Sequence, residues 1–172
     1  MINVRTATMF AAYKQWADQR LFDNLASLPA GEIDKERAGA CKSILGTLNH
    51  VYVVDSIWQA HLQRRDHPFK TRLEMPHPDI DTLRQAQQDM NAWFIAWAAE
   101  QTDESLEDVI EFTFVSGDHS AMNAGAMLLH VVNHAAYHRG WIVQMIFEIP
   151  ARPPIADLPV FLMEVFPTYT RA

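Results

Sequence analysis

Apolar residues recur at three- and four-residue steps in four long segments of the chain. That period is typical of amphipathic helices, because positions three and four apart share one helix face. Proline-containing stretches separate the segments, and Ser43 can cap the second of them. The pattern predicts four helices, which run over about Ala7–Leu28, Ile44–Arg65, from after Pro78 to Gln101, and from Ser120 or Met122 to Glu148.

The period changes between the third and fourth predicted helices. The segment Val109–Val115 is dense in β-branched and aromatic residues, and Ser116–Asp118 follows it with a central glycine. This combination predicts a strand that leads into a tight turn, and so a small β-hairpin. Pro150 ends the fourth helix, and a shorter helix is predicted at Asp157–Val165. The predicted fold is therefore all-α, with a hairpin between helices three and four and a short C-terminal helix.

Composition restricts the classes of partner. The chain has 172 residues, of which 49% are hydrophobic and 6 are glycine, which fits one helical domain over residues 1–172. Its formal net charge is −7, from 14 Lys and Arg against 21 Asp and Glu, so we expect no broad basic surface. Nucleic-acid backbones bind to such basic surfaces, and nucleic acid is therefore not an expected partner.

The expected compartment is the cytoplasm. No segment approaches the roughly 20 apolar residues that span a bilayer, so no membrane insertion is expected. Residues 1–5 lack the charged start and apolar stretch of an export signal. A single cysteine, Cys41, excludes an intrachain disulfide framework and fits a reducing environment.

Three histidines, His130, His134 and His138, recur every four residues in an apolar segment of the fourth predicted helix. Residues four apart lie one turn above each other, so neighbouring imidazoles of this run can reach one metal ion. The alternative is that one or two of them are core histidines with a backbone hydrogen bond. Three in register favour a metal site, because stacked imidazoles without a metal would repel each other once protonated.

A stable site needs a further ligand from another helix. His50 is the candidate, because it lies in an apolar stretch of the second helix, where an unpaired polar ring is costly. His61 falls near the same face but about three turns away, too far to share one ion with His50. The remaining histidines lie in predicted loops, where we expect solvated side chains: His67, His77 and His119.

Four stretches of the sequence carry a family pattern. They are Leu48-Asn-His50-Val in helix two, His134-Ala-Ala-Tyr-His138-Arg-Gly140 in helix four, and residues 13–21 and 153–159. Together they resemble the DinB/YfiT-like metalloprotein superfamily. The resemblance implies a four-helix bundle, with a homodimer as the expected assembly, in which His50, His134 and His138 bind a divalent metal. His130 then becomes a neighbour of the site.

The implied metal is zinc or nickel first, with iron, manganese or copper as alternatives. One position departs from the family pattern, because Trp141 stands where many relatives have Gln after the Arg-Gly pair. Trp141 lies three residues beyond His138, on nearly the same helix face. It is therefore a candidate for lining a pocket or a dimer interface.

The histidine motif differs from those of common zinc hydrolases. Zinc peptidases carry a Glu directly after the first His of an H-x-x-x-H pair, whereas Val131 and Ala135 follow His130 and His134. Zinc deaminases need a Cys-x-x-Cys pair, and the chain has one cysteine. The sequence therefore disfavours both classes.

The superfamily includes metal-dependent transferases that move low-molecular-weight thiols onto electrophiles. The resemblance thus implies a thiol S-transferase or a related detoxifying or stress-response enzyme, with a small molecule and a low-molecular-weight thiol as partners. One alternative is a metal-dependent hydrolase or isomerase, with Asp55 and Tyr137 as candidate acid or base. Another is a non-enzymatic metal-binding stress-response protein. The basic cluster within residues 64–72 is either a solvated surface or the rim of a site for an anionic substrate.

Overall fold

Four long helices form the body of the protein in a computed structural model that describes residues 2–166. Each helix packs against two neighbours, in the ring order α1, α3, α2, α4. A two-stranded antiparallel hairpin connects α3 to α4, and a short last helix packs on α1. The elements are α1 (Val4–Leu25), α2 (Ile44–Leu62), α3 (Ile80–Glu100), β1 (Val109–Thr113), β2 (His119–Asn123), α4 (Ala124–Phe147) and α5 (Leu158–Val165).

This architecture confirms the predicted all-α bundle with its hairpin and C-terminal helix. Within residues 2–166, no helix combines the length and apolar character needed to cross a membrane. The single domain over residues 1–172 stays a prediction, and residues 1 and 167–172 of it lie outside the described part of the chain.

Side-chain caps fix where the helices begin. The Asn3 side chain accepts a hydrogen bond from the Thr6 N–H, so α1 begins three residues before the predicted Ala7. Ser43 caps α2 through the Gly46 N–H, as the sequence predicts. At the other end, α2 stops at Leu62 instead of Arg65, and Arg64 lies in the left-handed region with a φ of 53°.

The predicted start of the fourth helix is wrong. Ser120 and Met122 lie in β2, where they pair with Phe112 and Ile110 of β1, and α4 begins only at Ala124. His119, predicted in a loop, is the first residue of β2. The reason is the hairpin register, since pairing with β1 satisfies the backbone of residues 119–123 before the helix can start.

A polar cluster centred on Lys14 occupies the middle of the bundle. Lys14 is only 1% exposed, and its ammonium nitrogen lies 2.9 Å from Asp18 Oδ2 and 2.7 Å from Asp55 Oδ2. It also donates to Asn91 Oδ1 at 2.7 Å. Burial alone would lower the pKa of Lys14, but the two carboxylates raise it, so the ammonium stays charged.

The cluster joins all four long helices. Lys14 and Asp18 belong to α1, Asp55 to α2 and Asn91 to α3, while Arg139 of α4 lies 3.4 Å from Asp18 Oδ1. Two basic and two acidic side chains therefore meet inside the bundle, where burial raises the pKa of Asp55 and the Lys14 ammonium opposes that rise. Such a cluster restricts how the helices slide past each other, because each polar atom needs its partner.

The first prediction concerns this cluster. Lys14→Met should lower the free energy of unfolding by about 3–5 kcal/mol, because Asp18 and Asp55 lose their buried counter-charge. Lys35→Met is the matched control, since the Lys35 side chain is 59% exposed and should contribute less than about 1 kcal/mol. Urea unfolding of both variants measures the difference. Equal midpoints for Lys14→Met and wild type would contradict the account.

Candidate metal centre

Three histidines converge where α2 packs on α4. One ring nitrogen from each of His50, His134 and His138 lies within 4.8 Å of the other two. The ring centroids are 5.0 Å apart for His50 and His134, 4.5 Å for His50 and His138, and 4.4 Å for His134 and His138. The structure thus brings together the three histidines that the family resemblance implies.

The loop after α2 orients His50. The His50 Nδ1 atom lies 2.8 Å from the Arg72 carbonyl oxygen, which can only accept, so Nδ1 carries the proton. The Nε2 atom therefore keeps its lone pair, and it lies 3.2 Å from His134 Nε2. A ring nitrogen fixed by a backbone carbonyl while the other faces the site is the usual arrangement of a ligating histidine.

Asn49 attaches the same loop to α2. Its amide nitrogen donates to the His77 carbonyl at 2.8 Å, and its oxygen accepts from the His77 N–H at 3.0 Å. The His77 ring also packs edge-on against Tyr52, with centroids 4.7 Å apart. His77 was expected to be a solvated loop residue, but its backbone holds the loop whose Arg72 carbonyl fixes His50.

The donor set fits a divalent metal ion. Imidazole nitrogens are common zinc ligands, and the three ring nitrogens lie within 4.8 Å of one another, with those of His50 and His134 3.2 Å apart. Three neutral nitrogen ligands also leave at least one coordination position for a further ligand. Such a set suits zinc, nickel, copper and iron.

Burial keeps the three imidazoles neutral. It lowers the pKa of His134 to about 2, with smaller contributions from His138 and His50. Burial likewise lowers the pKa of His138 to about 4, and His50 adds to the effect. The pKa of His50 is lowered by burial and, to a smaller extent, by the positive charge of Arg72. Neutral rings are the form that ligates a metal.

His130 lies beside this site, but its ring does not belong to the cluster of His50, His134 and His138. Its ring stacks 5.7 Å from His134 and contacts Trp58 at 4.8 Å. The group of ring nitrogens that could hold an ion includes only His50, His134 and His138 among the described residues. His61 contacts Trp58 from another side, with ring centroids 5.5 Å apart.

The two acid or base candidates occupy different surroundings. Asp55 is completely buried and pairs with Lys14 in the central polar cluster. Tyr137 is 58% exposed, and its ring contacts His138 edge-on at 5.0 Å. Trp141, at 37% exposure, packs on both Tyr137 and His138. Two exposed aromatic rings therefore cover one side of His138.

A cavity of about 470 Å³ ends at His134. Its walls come from α2, α4, the hairpin and the loop after α2, and none of the described residues that line it is acidic. His130 and His61 also line it. The cavity thus connects the histidine cluster with a space large enough for a small molecule.

Sequence reasoning missed the polar cluster behind the site. Arg139, next to His138, donates from one guanidinium nitrogen to the Tyr13 hydroxyl at 3.2 Å. A signal was present in helix one, where Lys14 and Asp18 are four residues apart and adjacent to the apolar Tyr13 and Ala17. Such a pair on the core side of an amphipathic helix indicates a buried ion pair.

The second prediction is a pH dependence of stability. His134 and His138 have folded pKa values of about 2 and about 4, below the model-peptide value of 6.5, so only the unfolded chain takes up protons just below pH 6.5. After chelation, the free energy of unfolding should therefore fall as pH decreases from about 6.5 to about 4, by about 1.4 kcal/mol per pH unit for each such histidine.

Urea unfolding at several pH values measures this slope. His138→Gln removes one titrating ring from the cluster and should reduce the slope by about 1.4 kcal/mol per pH unit. The same slope in His138→Gln and wild type would contradict the assigned burial of this ring.

Comparison with known proteins gives the family. The family model described as the DinB family matches residues 1–168. Protein DinB of Bacillus subtilis (strain 168) is 27% identical over 142 residues, which cover 78% of this chain and 80% of that relative. The crystal structure of a DinB-like protein from Bacillus cereus ATCC 10987 matches with a TM-score of 0.62 and 19% identity, covers 84% of this chain and 91% of that chain, and supports the fold alone. Because the family model spans nearly the whole sequence, the chain belongs to the DinB family.

Proposed function

We propose that the protein binds a divalent metal ion through His50, His134 and His138 and transfers a low-molecular-weight thiol to an electrophilic small molecule. The observation that carries the proposal is the convergence of three imidazoles, one of which, His134, borders a cavity lined by no described carboxylate. Zinc or nickel is the preferred ion, with iron, manganese and copper as alternatives.

The chain's residues prepare the site for such a transfer. The Arg72 carbonyl orients the His50 ring, and one ring nitrogen from each of His50, His134 and His138 lies within 4.8 Å of the other two. When bound, a divalent cation supplies Lewis acidity that lowers the pKa of a coordinated thiol, whose free value is about 8.5. The thiol proton leaves to solvent, the sulfur forms a bond to the electrophilic carbon, and the leaving group departs with the electron pair of its own bond.

A hydrolase or isomerase has less support from this geometry. Those reactions would use an acid or base next to the metal, and Asp55 is fully buried in an ion pair with Lys14, 2.7 Å away. Tyr137, the other candidate, is 58% exposed and contacts His138 through the edge of its ring. A thiol that is already ionised needs no protein base. A non-enzymatic metal-binding protein would share the histidine site but would convert no substrate. The homodimer, the cytoplasmic location and the stress-response role stay predictions.

The third prediction concerns the ligands. Replacement of His50, His134 or His138 by Ala should each remove most of the zinc that copurifies with the untagged protein, because two imidazoles make a weak site. His130→Ala should weaken zinc affinity only about 10- to 100-fold, as expected for a neighbour that orients a ligand. Elemental analysis and competition with a chelating dye give both quantities.

His119→Ala is the control for these variants, because His119 lies in β2 and its ring contacts the Thr113 hydroxyl at 3.0 Å. Its zinc content should equal that of wild type. Full zinc retention in His50→Ala would overturn the assignment, and a loss in His130→Ala as complete as in His134→Ala would make His130 a ligand.

The fourth prediction tests the open position. The cobalt-substituted protein should develop a sulfur-to-metal charge-transfer band when a small thiol such as 2-mercaptoethanol is added, because three histidines leave a coordination position free. Metal-dependent consumption of a thiol and an electrophile should accompany it. No spectral change with common cellular thiols would contradict the transferase, and a band without turnover would favour the non-enzymatic alternative.

A further inference from the structure

The walls of the 470 Å³ cavity next to His134 are mainly apolar. Ile57 and Trp58 of α2 form one side, and Val115 belongs to the hairpin turn opposite. Ile57 and Trp58 are each 6% exposed, so most of each side chain packs inside the protein and only a small part faces the cavity. This volume suits the body of one small molecule, since ligand cavities hold about 300–1,000 Å³.

Positive charge borders the same cavity. Lys70 and Arg72, from the loop after α2, line it together with Thr71. Glu74 is bonded to the backbone N–H groups of Lys70 and Thr71, at 2.6 and 3.1 Å, but it does not line the cavity. Within residues 2–166, the Arg72 guanidinium forms no ion pair. Two cations and no described anion are therefore present in the wall of a protein with net charge −7.

Two imidazoles complete the polar part of the wall. His61 and His130 both contact Trp58 and both line the cavity. Within the described part of the chain, neither ring has a hydrogen-bond partner from another side chain or the backbone. The Nδ1 atom of His134 is completely buried without a hydrogen-bond partner, whereas no ring nitrogen of His61 or His130 is in that position. Both can therefore bind a polar group of a molecule in the cavity.

We propose that this cavity binds the electrophilic substrate, and that this substrate is a small molecule with an apolar body and a negatively charged group. The apolar body packs on Ile57 and Trp58, and the anion lies at Arg72. The electrophilic carbon then points to His134, where the thiol sulfur is held. This inference rests on the proposed thiol transfer only where it places the electrophilic carbon near the thiol. The cavity and its charges do not depend on that chemistry.

Binding of 4-phenylbutyrate and its neutral amide to the zinc-loaded protein tests the proposal. In NMR titrations, the acid should bind at least about tenfold tighter than the amide, because only the acid pairs with a guanidinium. Arg72→Gln should abolish that preference. Arg64→Gln is the matched control, since Arg64 lies in the same loop but does not line this cavity.

A second pair of variants locates the binding. Ser116→Trp adds an indole at the wall of the cavity and should weaken 4-phenylbutyrate binding at least about tenfold by steric exclusion. Ser120→Trp, an exposed change on the neighbouring strand outside the cavity, should leave the affinity within about twofold of wild type.

Several outcomes would overturn the inference. They are equal affinity for acid and amide, an acid preference that survives Arg72→Gln, or equal binding in Ser116→Trp and wild type. Repeating the titration after the zinc is chelated distinguishes binding at the cavity wall from binding at the metal. An acid preference that disappears with the zinc means that the carboxylate binds the ion, and it also overturns the inference. The cobalt band with 2-mercaptoethanol is independent of these results, so the cavity and the thiol transferase succeed or fail separately.

Discussion

The buried ammonium of Lys14 is the interaction on which the arrangement of the bundle depends. It needs Asp18 of its own helix and Asp55 of α2 at the same time, and it is surrounded by protein on all sides. Well-packed apolar residues could stabilise the bundle as much as this polar cluster does. The main effect of the cluster is therefore to fix how the helices are positioned along one another. Asp55 follows His50 on α2, and Arg139 follows His138 on α4. The register that pairs these charges also directs the histidines of both helices to one point.

The loop between α2 and α3 links the candidate metal centre to the cavity. Asn49 and His50, consecutive residues of α2, both bind backbone groups of this loop. The Arg72 carbonyl fixes the proton of His50, while the Arg72 residue itself lines the cavity. A displacement of the loop would therefore change the ligand orientation and the charge of the cavity together.

Local sequence signals predicted the features that depend on neighbours along the chain. The helical period, the Ser43 cap and the His134–His138 spacing all belong to this class. The hairpin was predicted, but the residues of β2 were assigned to the start of the fourth helix, because they become a strand only through pairing with β1. The role of Lys14 was not predicted for a similar reason, since its partners come from other helices as well as its own. His130 and His134 are equivalent in spacing, and only the packing of α4 on α2 determines which of them meets His50.

Charge explains which ligands the site should select. Three neutral imidazoles offset none of the charge of a divalent ion, and Lys70 and Arg72 add positive charge in the adjoining wall. With a divalent ion bound, the proposed thiolate and the proposed anionic substrate would both be favoured over neutral competitors inside the cavity. The net charge of −7 repels anionic molecules that approach the protein. At physiological ionic strength, however, salt screens this repulsion beyond about 8 Å. Selection must then operate by contact within the cavity, so substrate preference among relatives should follow the residues at the positions of Ile57, Arg72 and His130.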